Sequence, residues 1–212
     1  MKGSTILSTR TQRMKYDGTD KYCYDAHPDV LINKFGIADE ELLDHRIIKE
    51  QMRVIDNIKI HSPYSLNTLC DIHRKMFSCA FNWAGKLRDI DISKGNTRFC
   101  HNIYLDKEGE KIFVNVNKLH KDLLMMPDNK KKTDNPDLVK KMDELGKIIC
   151  DLNFLHPFRE GNGRTLRLFV ELFLFNLGII ISWPELPTCW MKASIDDQGE
   201  SMKGLFLLKS SK

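Results

Sequence analysis

The sequence has no run approaching the ~20 apolar residues of a membrane-spanning helix, and its N-terminus carries no apolar signal core. The expectation is a protein without a membrane span, whose export would need a signal other than a Sec-type leader. Six cysteines (Cys23, Cys70, Cys79, Cys100, Cys150, Cys189) form no Cys-x-x-Cys pair and no His/Cys metal spacing. They read as reduced, partly buried thiols of a cytosol-like compartment. Neither sign of charge dominates: 33 basic residues stand against 29 acidic ones, a net charge of +4. That balance does not point to nucleic acid as a partner. The one basic run, Lys130-Lys131-Lys132, lies beside Asp and Asn and reads as solvated loop. No internal repeat and no second domain are visible. What remains is one domain of 212 residues, 42% hydrophobic, large enough to bury a substantial core.

Residues 1 to about 20 are polar and aperiodic, which predicts a flexible N-terminal arm. Tyr22-Cys23-Tyr24 and Val30 to Ile37 read together as an irregular segment that packs its apolar residues on the bundle. Asp39 can cap a helix through about Ile58, with Leu42, Leu43, Ile47, Ile48, Val54, Ile55 and Ile58 inward. Ser65 caps a second, with Leu66, Leu69, Ile72, His73, Met76 and Phe77 on its apolar face. A histidine on such a face is more often a core residue than a ligand, so His73 is assigned no chemistry. Asp89 to Phe99 reads as a β-hairpin that turns at Lys94-Gly95-Asn96-Thr97. Ile112 to Met126 reads as a helix ended by Pro127. Asn135-Pro136 then supplies cap and first-position proline for a helix to His156. Past Leu177-Gly178, Trp183-Pro184 and Leu186-Pro187 lead into two short amphipathic helices.

The chemistry concentrates in His156-Pro157-Phe158-Arg159-Glu160-Gly161-Asn162-Gly163-Arg164, with Arg167 following. Apolar residues at spacings of three and four before and after it predict two helices joined by a tight connection. A helix that begins with Gly-Asn-Gly can turn several N–H groups toward one point, an anion site helped by the helix dipole. Arg164 and Arg167 share a helix face and can reach the same anion. A carboxylate beside phosphates, as Glu160 would be, commonly holds Mg²⁺. His156 sits at the mouth of the loop, where a near-neutral base could take a proton from a hydroxyl. Taken singly, a histidine before proline is more often a helix cap, and Gly-Asn-Gly more often a plain turn. Their coincidence with Glu160, Arg164 and Arg167 argues against both.

At every specified position this stretch resembles the signature of the Fic family, His-x-Phe-x-Asp/Glu-Gly-Asn-Gly-Arg-x-x-Arg. The resemblance extends upstream to Trp83-Ala84-Gly85-x-x-Arg88, which in the family leads into a hairpin called the flap, and downstream to Trp190-Met191-x-Ala193-Ser194. It covers about residues 21 to 208. It implies an all-α Fic fold, a helical bundle with a small β-hairpin flap over the active site. It also implies transfer of AMP from ATP to a Ser, Thr or Tyr hydroxyl of a target protein, a host small GTPase being one such target. His156 would be the catalytic base and Glu160 the Mg²⁺ ligand. Gly161, Asn162 and Gly163 would form the anion hole, Arg164 would contact phosphate and Arg167 the γ-phosphate. Phe158 would pack inward, and Lys94, Gly95, Asn96 and Thr97 would clamp the target.

Two departures sharpen the expectation. The phosphorylating Doc-like branch has lysine for the second glycine; Gly163 favours nucleotidyl transfer. Many Fic proteins carry an inhibitory Ser/Thr-x-x-x-Glu-Gly/Asn helix, but here Glu precedes Gly or Asn only at Glu108 and Glu160, with Tyr104 and His156 four residues earlier. Ser194 to Gln198-Gly199 has Gln for Glu. The chain therefore resembles the branch silenced by a separate small antitoxin. Tyr22-x-Tyr24 and the Trp190 segment further resemble the Fic domains of Bartonella effector proteins, consistent with a domain (residues 21–212) excised from a longer effector. A bacterial cytoplasmic location before export, and the host cytosol after it, would follow. The rival readings are a catalytically silent binding module of the same fold and a transferase of another phosphate-linked group such as phosphocholine.

Overall fold

Caps written in the sequence start the helices of the computed structural model, which describes residues 21–94, 97–131, 135–183 and 207–209. The Asp39 side chain accepts from Leu42 N at 2.8 Å and opens α1, Glu40–Val54. Ser65 opens α2, Leu66–Phe77, with a reciprocal capping box to Thr68. Asn135 accepts from Asp137 N and Leu138 N ahead of Pro136, and so opens α4, Pro136–Leu155. The helix α5 spans Asn162–Phe175. The remaining long helix, α3 (Leu105–Met125), begins seven residues before the expected start at Ile112. Asp106 to Glu110 hid it, because they interrupt the apolar spacing with charges and Gly109. That glycine is a packing residue: a Cβ there would lie 2.8 Å from Leu66 Cδ2, so it lets α3 approach α2 closely.

Three two-stranded antiparallel sheets flank the helices. The segment expected to be irregular forms one, β1 (Cys23–Tyr24) with β2 (His27–Leu31). The predicted hairpin is β3 (Ser93–Lys94) with β4 (Thr97–Arg98), in register Ser93 to Arg98 and Lys94 to Thr97. The third pairs β5 (Ile180–Ser182) with β6 (Leu207–Lys209), the latter where closing helices were expected. The arm at 1–20, the hairpin tip Gly95-Asn96 and the Trp190 segment lie outside the described residues.

Helices α2 and α5 supply much of the centre: Phe77, Phe169 and Phe173 are fully buried, joined by Phe81 and Phe158 from loops. Each such side chain contributes about 1.5–3 kcal/mol on burial. On α1 the inward stripe is narrower than expected. Leu43 and Ile47 are buried with Gln51, whereas Leu42 is 60% and Ile48 45% exposed. The helix also stops at Val54, followed by a 3₁₀ turn at Ile55–Asn57.

Candidate active site

Helix α4 ends because His156 turns into the left-handed region (φ 46°, ψ 61°), a conformation an L-residue adopts at a cost. Pro157 cannot continue the helix, and the chain crosses to Gly161, itself at φ 82°. Gly161 needs both its conformational freedom and its missing side chain, since a Cβ would sit 2.3 Å from Phe77 Cζ. Asn162 closes the loop on itself: its Oδ1 accepts from Phe158 N at 2.8 Å and its Nδ2 donates to Phe158 O at 2.7 Å. Phe158 packs inward as expected, 1% exposed and stacked 4.0 Å from the His73 ring.

His73 is the buried, fully satisfied core histidine the sequence suggested. Gly85 N donates to its Nδ1 at 2.8 Å, which leaves the proton on Nε2 to donate to Glu160 O at 2.9 Å. Burial pulls its pKa from 6.5 to about 4, so the ring is neutral. It therefore fastens the Trp83-Ala84-Gly85 segment to the glutamate of the loop. Apolar spacing could place His73 inside, but not name the carbonyl it would meet.

His156 is half-buried, its ring stacked 3.8 Å from that of Phe99 at the root of the hairpin. Burial again lowers its pKa to about 4, opposed by its bond to the Asn153 carbonyl and by the Glu160 charge. Nδ1 lies 3.0 Å from Asn153 O and so carries the ring proton, which puts the basic lone pair on Nε2. Such a group is a neutral base throughout the physiological range.

Glu160 is buried, with Oε1 3.3 Å from Arg164 Nη2. Arg164 also approaches Asp44 of α1 at 3.5 Å and lies 4.9 Å over the Phe77 ring. Arg167 is exposed and folds back to Gly163 O at 3.3 Å. The two arginines share α5 but do not converge here: one is held by carboxylates, the other lies along the helix surface. The α5 backbone ladder begins with Thr165 N to Gly161 O, so the N–H groups of Asn162, Gly163 and Arg164 precede it. A Cβ on Gly163 would meet nothing within 4 Å, so the protein leaves this helix start open. The Asn162 side chain is spent on the loop, and only its backbone can contribute to an anion site. Among the described residues no group of three acidic, histidine or cysteine side chains could hold a metal ion by itself. A lone Glu160 fits a cation that arrives already bound to phosphates. Of the hairpin residues, exposed Lys94 pairs with Thr97, and Cys100 N donates to Phe154 O at 3.1 Å, tying the hairpin to the end of α4.

The Fic/DOC family model matches residues 63–174, which contain the loop, the Trp83 segment, the hairpin and all of α5 but its last residue. The chain belongs to the Fic/DOC family. It is 32% identical over 180 residues to a probable protein adenylyltransferase Fic of Salmonella typhimurium, covering 84% of each chain. It is 29% identical to the protein adenylyltransferase VbhT of Bartonella schoenbuchensis, over 86% of this chain but only 37% of that one. Among solved structures it superposes on BepC of Bartonella tribocorum, a VirB-translocated effector bound to AMPPNP. There the TM-score is 0.73, the identity 20%, and the coverage 91% of this chain and 99% of that one. The Fic domain of Bep8 from Bartonella sp. 1-1C gives a TM-score of 0.74 at 22% identity, covering 87% and 92%. No helix among the described residues is long and apolar enough to cross a membrane.

Proposed function

We propose that the chain is a nucleotidyltransferase, a protein adenylyltransferase that moves AMP from ATP to a hydroxyl of a target protein. The observation that carries this reading is the start of α5. It is left open at Gly163 and flanked by Glu160, Arg164 and Arg167, one short loop after a histidine kept neutral. Nucleotide binding is supported by the AMPPNP bound to BepC, and AMP as the transferred group by the names of the curated relatives.

In this reading His156 Nε2 takes the proton of the incoming hydroxyl as its oxygen attacks the α-phosphorus, and the bond to pyrophosphate breaks. The α5 N–H groups and Arg164 bind the phosphates. Arg167 swings from Gly163 O to the γ-phosphate. Glu160 would hold Mg²⁺, which when bound neutralises charge on the phosphates. Lys94 to Thr97 clamp the segment bearing the Ser, Thr or Tyr. The target class, a host small GTPase, and the location in bacterial and then host cytosol rest on resemblance to effector Fic domains. A separate inhibitory antitoxin is inferred from the missing inhibitory glutamate frame.

The test is incubation with Mg²⁺, a cell lysate and ATP labelled at either the α- or the γ-phosphate. Protein labelling from the α-position alone is expected. Labelling from the γ-position beyond that of lysate alone would mean a kinase, and none from either a silent binding module or a transferase of another group.

A further inference from the structure

Arg88 lies between the hairpin and the loop. Its guanidinium is wholly buried, an expensive place for a charge unless every donor is used. Nε donates to His156 O at 2.9 Å, Nη1 to Ile90 O at 2.6 Å, and Nη2 to Leu155 O at 3.4 Å and to Cys100 O. Its backbone N–H donates to Pro157 O at 2.9 Å. Ile90 and Cys100 are the two roots of the hairpin, and Leu155 and His156 are the end of α4. One side chain thus holds both roots of one element and the terminal carbonyls of the other, in the fork geometry only arginine offers.

We propose that Arg88 is the positioning residue that sets His156 for proton transfer and couples it to the hairpin. The left-handed turn at His156 is held from outside by the bond on its carbonyl, so the direction of the imidazole follows from where Arg88 sits. The ring itself leans on Phe99, which belongs to the hairpin that Arg88 anchors. A displacement of the hairpin by a seated target would thereby reach the base through Phe99 and through Cys100 O together. The Arg88 charge also disfavours a protonated His156, as does that of Lys94, while Glu160 favours it.

The inference rests on the transferase reading for its kinetic arm only. Arg88→Gln and Arg88→Lys, each in the whole 212-residue chain, would be compared with wild type in three measurements. These are binding of Mg²⁺ and AMPPNP by calorimetry, NMR titration of the His156 ring with hydrogen exchange at 97–100 and 156–158, and transfer from α-labelled ATP to the chain's own hydroxyls. Arg88→Gln should leave nucleotide affinity within about threefold, raise the His156 pKa modestly because burial rather than Arg88 is the main cause of its lowering, speed exchange in both segments, and cut transfer by about 10²-fold, the scale of a displaced catalytic group. Arg88→Lys keeps the charge without the fork; it should move the pKa less than Arg88→Gln but still exchange faster and transfer less. An unchanged His156 titration and unchanged exchange in both variants would overturn the proposal, as would nucleotide affinity lost in step with transfer. A wild type that transfers nothing would instead overturn the proposed function, leaving titration and exchange to decide the role of Arg88.

Discussion

Between His156 and Gly163 the backbone is fixed from three directions, by Asn162 within the loop, His73 beneath it and Arg88 beside it. Between Ser93 and Arg98 the described hairpin residues pair two by two, Ser93 with Arg98 and Lys94 with Thr97, with Lys94 and Arg98 exposed. The hairpin meets the loop where Phe99, just past β4, stacks on His156. The difference teaches where order is needed: phosphoryl-type chemistry depends on groups fixed before the substrate arrives, whereas a surface that grips protein segments can adjust to them. Substitutions in the loop should therefore act on rate, nucleotide binding and folding, and substitutions at the exposed residues of the hairpin chiefly on target affinity.

The largest effect expected is from His156→Ala, which removes the proposed base without touching the phosphate groups. Transfer should fall by about 10²–10⁴ while calorimetry finds AMPPNP bound as before; wild-type transfer would end the assignment. Gly161→Ala comes next. It forces a side chain into the left-handed region and onto Phe77, at about 2–4 kcal/mol, read as a lower urea midpoint. Its neighbour should behave oppositely. Gly163→Ala has room and a helical backbone, so stability should rise by up to about 1 kcal/mol. Nucleotide affinity should nonetheless fall, because the methyl enters the space assigned to phosphate. If both glycines proved merely destabilising, the open helix start would have no role. Arg167→Ala should weaken nucleotide binding by about 10–100-fold, the scale of one charged hydrogen-bonding group.

Smaller still is a dependence on pH. His73 and His156 have folded pKa values near 4 against 6.5 in the unfolded chain, so the unfolded state binds more protons in between. Their contribution is complete above about pH 6.5 and is lost as pH falls toward 4. Urea midpoints should drop across that window, and less steeply for His73→Gln. A flat profile would mean that His73 is not sealed in the core. The hairpin closes the ranking: Lys94→Ala should raise the KM for target severalfold, with a smaller change in kcat and none in nucleotide affinity. A fall in kcat as large as that of a loop substitution would show the hairpin to be as exacting as the loop.

What the sequence disclosed divides along the same line. Caps are local chemistry, so Asp39, Ser65 and Asn135 marked three helix starts within a residue. The start of α3 was hidden by charges and Gly109, whose reason is Leu66 on another helix. The signature residues from His156 to Arg167 were legible because the loop folds on near neighbours, Asn162 to Phe158 and Arg164 to Glu160. Arg88 and His73 were legible as an arginine after a tryptophan motif and as a core histidine. That they hold His156 and Glu160 depends on bonds across 68 and 87 positions, and no pattern within one segment carries that. Leu42 and Ile48 were misplaced because a helix stripe read without its neighbours comes out too wide.

The left-handed backbone at His156 inverts a familiar ranking. In a helix interior an alanine is better tolerated than a glycine by about 1 kcal/mol, and an inactive control is made as alanine by habit. Here the imidazole is retained against the preference of its own backbone, which costs about 1–2 kcal/mol for any residue with a Cβ. Alanine would keep that cost and lose the stack on Phe99; glycine would lose the stack and shed the cost. His156→Gly should thus be the better-folded inactive protein, and a library screened for thermal resistance alone would drift toward glycine at 156, discarding the proposed base.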